Sequence, residues 1–301
     1  MLFWAHGGCG QSLHQQRMSA RQRNELHREM YEFTEFLLTI YNETGKTFLL
    51  GNWEGDWLAG GYEMGHRLEM DPQRIARFRE WLDVRTAAID QAKADTPHRN
   101  AEVFTYLELN SVLAAKDRNL RRLVNTVLPV SSVDFVPLSS YDVQTCNPRE
   151  NPKTTASLRR QSFEIFLYVE QHLPPRDIPG KRVFIGGIGH RVEEIAELDG
   201  ISIEAAGIQQ ARAALPRAQV SLEWGTPIWL WWATFSSHEG TFGLVDNFTN
   251  EPSPLLFALK DDYQWAREYT QDFRTRHSRL PEACIFRTAA IEQLKKQIAI
   301  L

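Results

Sequence analysis

The chain has 301 residues, 43% hydrophobic and 24% charged, with a formal net charge of −4. That is enough to bury one large core or two small ones, and without any long Lys/Arg run a nucleic-acid partner is excluded. The apolar runs are too short to span a membrane, and the scattered Cys9, Cys146 and Cys284 lack metal-ligand spacing. The expectation is no metal and no cofactor.

The elements alternate between strand and helix. "LFWAH" (2–6) reads as a short strand, and no signal peptide is legible in it: the opening carries neither a basic stretch nor a long apolar one. Apolar residues at helical spacing (Leu26, Met30, Phe33, Phe36, Leu37) predict a helix over 19–41. "TFLLGNW" (47–53) is the next strand, and Asp71-Pro72 supplies an N-cap and an N1 proline for a helix running through Ile89. Strands follow at 102–110, 133–141, 182–189 and 227–235, with helices near 120–128, 155–173, after 189 to about 218, and 262–273. The tail at 276–301 reads as an appended helix.

Strand–helix alternation along the whole length predicts a parallel sheet covered by helices. A closed barrel of that kind has eight strands; six are legible here. Either the sheet is therefore open and doubly wound, or the domain over 1–275 is a (β/α)8 TIM-barrel-like fold lacking its first two strands, the expectation that is carried forward.

Chemistry in such barrels sits at the C-terminal strand ends. Those ends carry His6, then Glu54 and Asp56 between Trp53 and Trp57, then Glu108 and Asn110, then Tyr141, and finally Trp231 and Trp232. Amides, carboxylates and aromatic plates suit a hydroxyl-rich ligand whose ring faces are apolar. Along 102–110, alternation puts Phe104, Tyr106, Glu108 and Asn110 on one face. A carboxylate there must find a partner, either a basic residue or a substrate. His6 and His190 read as hydrogen-bonded structural groups. Of Trp231 and Trp232, adjacent on a strand, one should face the core and the other a cleft.

"VFIGGIGHRV" (183–192) allows a different reading, a nucleotide-binding turn through Gly186–Gly189. The dinucleotide fingerprint G-x-G-x-x-G fits Gly187 and Gly189 but meets Val192 at its third place.

Together "GKTFLLGNWEGDW", "VFTYLELNSV", "VDFVPLSSYD", "GKRVFIGGIG" and "WGTPIWLWW" resemble the retaining glycoside hydrolases of clan A, in particular a glycosidase-like group with an H/N-W-E-G-D-W signature. The likeness runs from about residue 2 to 273. It implies a TIM barrel, an oligo- or polysaccharide or glycoside as ligand, no nucleic-acid or membrane partner, and a secreted relative. It makes Glu54 the general acid/base and Asn52, two residues before it, a displaced sugar contact. It matches Tyr141 to a tyrosine that hydrogen-bonds the nucleophile. At the nucleophile's place stands Gly187. Retaining hydrolysis needs two carboxyls, so the resemblance implies an impaired enzyme or a carbohydrate-binding pseudoenzyme.

Overall fold

The computed structural model describes residues 1–5, 7, 13–61, 64–65, 68–142, 154–226, 228–235, 242–246 and 250–300. Among them are five strands, β1 (Leu2–Trp4), β2 (Lys46–Gly51), β3 (Ala101–Thr105), β4 (Val136–Ser139) and β5 (Val183–Gly187). Two long helices, α1 (Ala20–Ile40) and α3 (Pro72–Asp95), flank the short α2 (Gly55–Gly60). Then come α4 (Val112–Arg118), α5 (Leu123–Thr126), α6 (Thr155–Gln171), α7 (Val192–Asp199), α8 (Ile203–Trp224), α9 (Pro254–His277) and α10 (Ala283–Ile300).

The expected barrel is not formed. The strands make two small parallel sheets, β1-β2-β3 and β4-β5. Single parallel bridges, Tyr106 to Phe135 and Leu109 to Leu138, continue beyond β3. The predicted strand at 227–235 is reduced, among the described residues, to isolated bridges at Trp229 and Phe235. The reason is packing. Aromatic residues favour strands only where a pleated surface receives them, and here Trp229 and Trp231 pack against the helical core of Ala211, Leu215, Leu255 and Leu294.

The chain divides into two compact units, 1–142 with 165–183, and 143–164 with 184–301. Residues 276–301 thus belong to unit 2, where α10 packs on α8 and α9.

Unit 1 is built on the three-stranded sheet. Leu2 lies opposite Leu49 and Trp4 opposite Gly51, while Lys46 pairs with Ala101 and Leu50 with Thr105. Helices α1 and α3 pack on each other and against β3. Ser19 opens α1 with a capping box to Gln22, and the carboxyl of Asp71 caps α3 by accepting from the N–H groups of Gln73 and Arg74. The buried face of α1 is Leu26, Met30, Thr34, Leu37 and Leu38; α3 buries Phe78, Trp81, Leu82, Arg85 and Ile89. Each fully buried large apolar side chain on these faces contributes about 1.5–3 kcal/mol.

Candidate functional site

The Trp-Glu-Gly-Asp-Trp segment begins two residues after the end of β2, and its glycine and its aspartate have physical reasons to be there. Gly51 ends the strand where any side chain would run into the ring of Tyr106. That ring lies across the sheet and its hydroxyl donates to the Phe3 carbonyl at 3.0 Å. Gly55 begins α2 against β3's continuation. Its N–H donates to the Glu108 carbonyl at 2.9 Å, and a Cβ there would stand 2.6 Å from that same oxygen. Only glycine allows so close an approach.

Asp56 is fully buried. Its carboxylate accepts from the N–H groups of Leu123 at 3.0 Å and Asn110 at 3.2 Å, and its own N–H donates to Asn110 Oδ1 at 2.9 Å. A buried carboxylate engaged by backbone donors is a clamp; it joins α2, the end of the β3 segment and α5.

Glu54 precedes this clamp with φ 30° and ψ 72°, in the left-handed region. Ser111, just after Asn110, is left-handed too, at φ 63°. Non-glycine residues held there cost on the order of 1–3 kcal/mol each and persist where the surroundings impose them. Glu54 is 8% exposed. Its neighbour Trp53 is half-buried, with its ring 6.2 Å from that of Trp4.

Glu108 is the centre of the arrangement. It is 3% exposed. Its carboxyl accepts from the Ser139 hydroxyl, the Glu54 backbone N–H and the Trp4 indole N–H. Burial pushes its pKa up to about 7, with those hydrogen bonds opposing the rise. A carboxyl so placed exchanges a proton near neutrality, which an acid/base group needs. Beside it Asn52 is fully buried, its Nδ2 donating to the Glu108 carbonyl at 3.3 Å.

The other predicted residues separate. Trp57 is half-buried in α2, and Tyr141 is exposed just after β4. His6 lies outside the described residues. In unit 2, Gly187 is the buried last residue of β5. Trp231 is a packing residue, its indole donating to the Phe242 carbonyl at 3.0 Å and its ring 5.5 Å from His190. Trp232 is half-buried and its N–H donates to the Ile188 carbonyl at 2.8 Å. With no strand at 229–232, the expected in-and-out alternation of Trp231 and Trp232 does not apply. His190 is buried, and burial together with Arg217 holds its ring well below the usual histidine range, so it stays neutral. A Cβ on Gly189 would run into the Trp232 carbonyl and the Phe242 ring. Close packing accounts for that glycine without a phosphate.

Sequence reasoning missed Trp4 and Arg85, and placed Ser139 at a strand end without seeing its bond to Glu108. Arg85 is buried on α3, over the Trp81 ring at 4.2 Å, and donates to the carbonyls of Ala5 at 2.5 Å and Gly51 at 2.9 Å. It ties the ends of β1 and β2 together, and burial lowers its pKa to about 10. Its position three and seven residues after Leu82 and Phe78, inside the apolar stripe, was the available signal. Among the described residues no cluster of His, Cys, Asp and Glu could hold a metal ion, and no helix is long and apolar enough to cross a membrane. No protein-family model, curated protein or solved structure matches the chain.

Proposed function

We propose that unit 1 receives a carbohydrate at the ends of β1, β2 and β3, and that Glu54 protonates the glycosidic oxygen of a bound glycoside. The observation that supports this best is the pairing of Glu54 with Glu108. The Glu54 N–H donates to a carboxyl that burial poises near neutrality, with two tryptophans beside them. An ionised carboxylate has about four acceptor sites. Among the described residues three donors reach that of Glu108, and in its ionised form Glu108 would take a proton from an attacking water. Water would then add to the anomeric carbon as the C–O bond breaks and Glu54 gives its proton to the leaving oxygen. In this reading Glu54 and Glu108 supply the two carboxyls that glycoside hydrolysis uses.

One observation favours binding without turnover. Where the resemblance places a nucleophile, Gly187 offers no carboxylate. Release of reducing ends from neutral polysaccharides and of phenol from aryl glycosides separates the two readings. The hydrolytic reading expects turnover, reduced about 100-fold or more in Glu54→Gln for substrates with poor leaving groups. Sugar binding without turnover in the unaltered chain leaves the binding protein. Neither binding nor turnover refutes the carbohydrate reading.

A further inference from the structure

We propose that unit 2 binds a second copy of the chain, with the acidic α7 of one copy seated in a basic groove along α9 of another. This inference is independent of the carbohydrate reading of unit 1.

The groove runs along the C-terminal half of α9 and the turn after it. It holds about 760 Å3 between Arg267, Thr270, Gln271, Arg274 and Leu280, and no carboxylate lines it among the described residues. Arg267 and Arg274 are seven residues apart, which puts them on one helix face about 10 Å apart along the axis. The arginines just beyond are matched by acids: Arg276 pairs with Asp272 at 2.6 Å and Arg279 with Glu282 at 2.8 Å. Arg267 lies 5.9 Å from the Tyr263 ring. Among the described residues neither Arg267 nor Arg274 has an ion pair. Leu280 is 60% exposed, so the groove offers two cations beside apolar surface.

The corner between α7 and α8 carries the opposite charge. From Val192 to Ala211 the chain has Glu193, Glu194, Glu197, Asp199 and Glu204, and no Lys or Arg. Val192 and Ile195 are buried with Ala206. Burying that face turns Glu194, Glu197 and Leu198 outward together, at helical spacings of three and four. Glu194, Glu197 and Asp199 are exposed and have no ion pair among the described residues. Leu198 is 42% exposed and Ile203 57%.

Charge complementarity selects the occupant. The acidic corner matches the arginines, and its exposed Leu198 and Ile203 match Leu280. A basic segment would repel the groove, and a small inorganic anion would leave the apolar surface of both patches in water. Exposed ion pairs are individually weak and screened by salt, so the contact needs its charges and its apolar residues together. The two patches differ, so the contact is heterologous.

The test is sedimentation velocity on the full chain at about 0.02 M and about 0.5 M salt. The mean mass should rise with protein concentration at low salt and return to that of one chain at high salt. Arg267→Glu with Arg274→Glu, and separately Glu194→Lys with Glu197→Lys, should each weaken association about tenfold or more, because like charges then meet. An equal mixture of the two variants should associate again, since each keeps the native face that the other has lost. Circular dichroism checks folding. If a reversed variant does not fold, Gln replaces the reversed charge at the same positions and enters the same comparison. A chain that stays monomeric at low salt overturns the proposal. So does either folded variant that associates as the unaltered chain does, or a mixture that stays monomeric.

Discussion

Two tryptophan-rich segments look alike in the sequence and behave differently in the fold. "NWEGDW" (52–57) begins at the end of a run that reads as a strand, and "WLWW" (229–232) lies within another. In the first, Asp56 and Gly55 clamp the backbone against the end of the β3 segment, and Trp53 stays half-buried beside Trp4. In the second no carboxylate intervenes. Trp229 and Trp231 pack against the helical core, and the indole of Trp231 is spent on the Phe242 carbonyl. Interleaved acids must be satisfied and so dictate backbone geometry. Tryptophans without them go where apolar surface receives them.

The sharpest way to break this comparison is Asp56→Ala. It removes one buried carboxylate and strands the Leu123 and Asn110 N–H groups, so we expect a loss of about 4 kcal/mol in urea unfolding. A loss below about 1 kcal/mol would mean that the clamp does not set the loop.

Glu108→Gln comes next. The folded pKa of Glu108 is raised above that of an unfolded glutamate, so the folded chain holds a proton that the unfolded chain releases. Its contribution to stability therefore falls as pH rises from about 4.5 to about 7, by roughly 3 kcal/mol, and levels off above. The difference in stability between the unaltered chain and Glu108→Gln should change by that amount over this window. A difference independent of pH would show that Glu108 titrates like an exposed acid.

In unit 2, Trp231→Phe should cost about 1–2 kcal/mol through the lost hydrogen bond and reduced packing. It should also leave sugar binding untouched, whereas a binding defect would place Trp231 at the ligand. The smallest effect belongs to Glu54→Gly. Relieving a left-handed non-glycine residue should raise stability by about 1 kcal/mol while abolishing proton donation. If stability falls instead, the Glu54 side chain contributes packing that outweighs its strain.

Helices α1 and α3 were legible because their signals are local: Ser19 with Gln22, Asp71 with Pro72, and apolar residues every three to four positions. The first five strands were also legible as apolar runs, with ends misplaced by a few residues. The barrel expected from them did not form: closure depends on non-local pairing that no local signal reports, and 227–235 carries β-favouring residues into a helical core. At the site, Glu108 was visible as an acid on a strand face that needed a partner. The expected basic residue or substrate proved to be a hydroxyl from β4, a backbone N–H from the β2 loop and an indole from β1. Those donors lie 31, 54 and 104 positions away, and no spacing rule links them.

The most direct test of the account is the titration of Glu108 itself. Infrared difference spectra between pH 5 and pH 9 should show a protonated carboxyl band that vanishes with a midpoint near 7 and is missing in Glu108→Gln. A Glu108 already ionised at pH 5 would contradict the account, because the buried, proton-exchanging carboxyl at its centre would not exist.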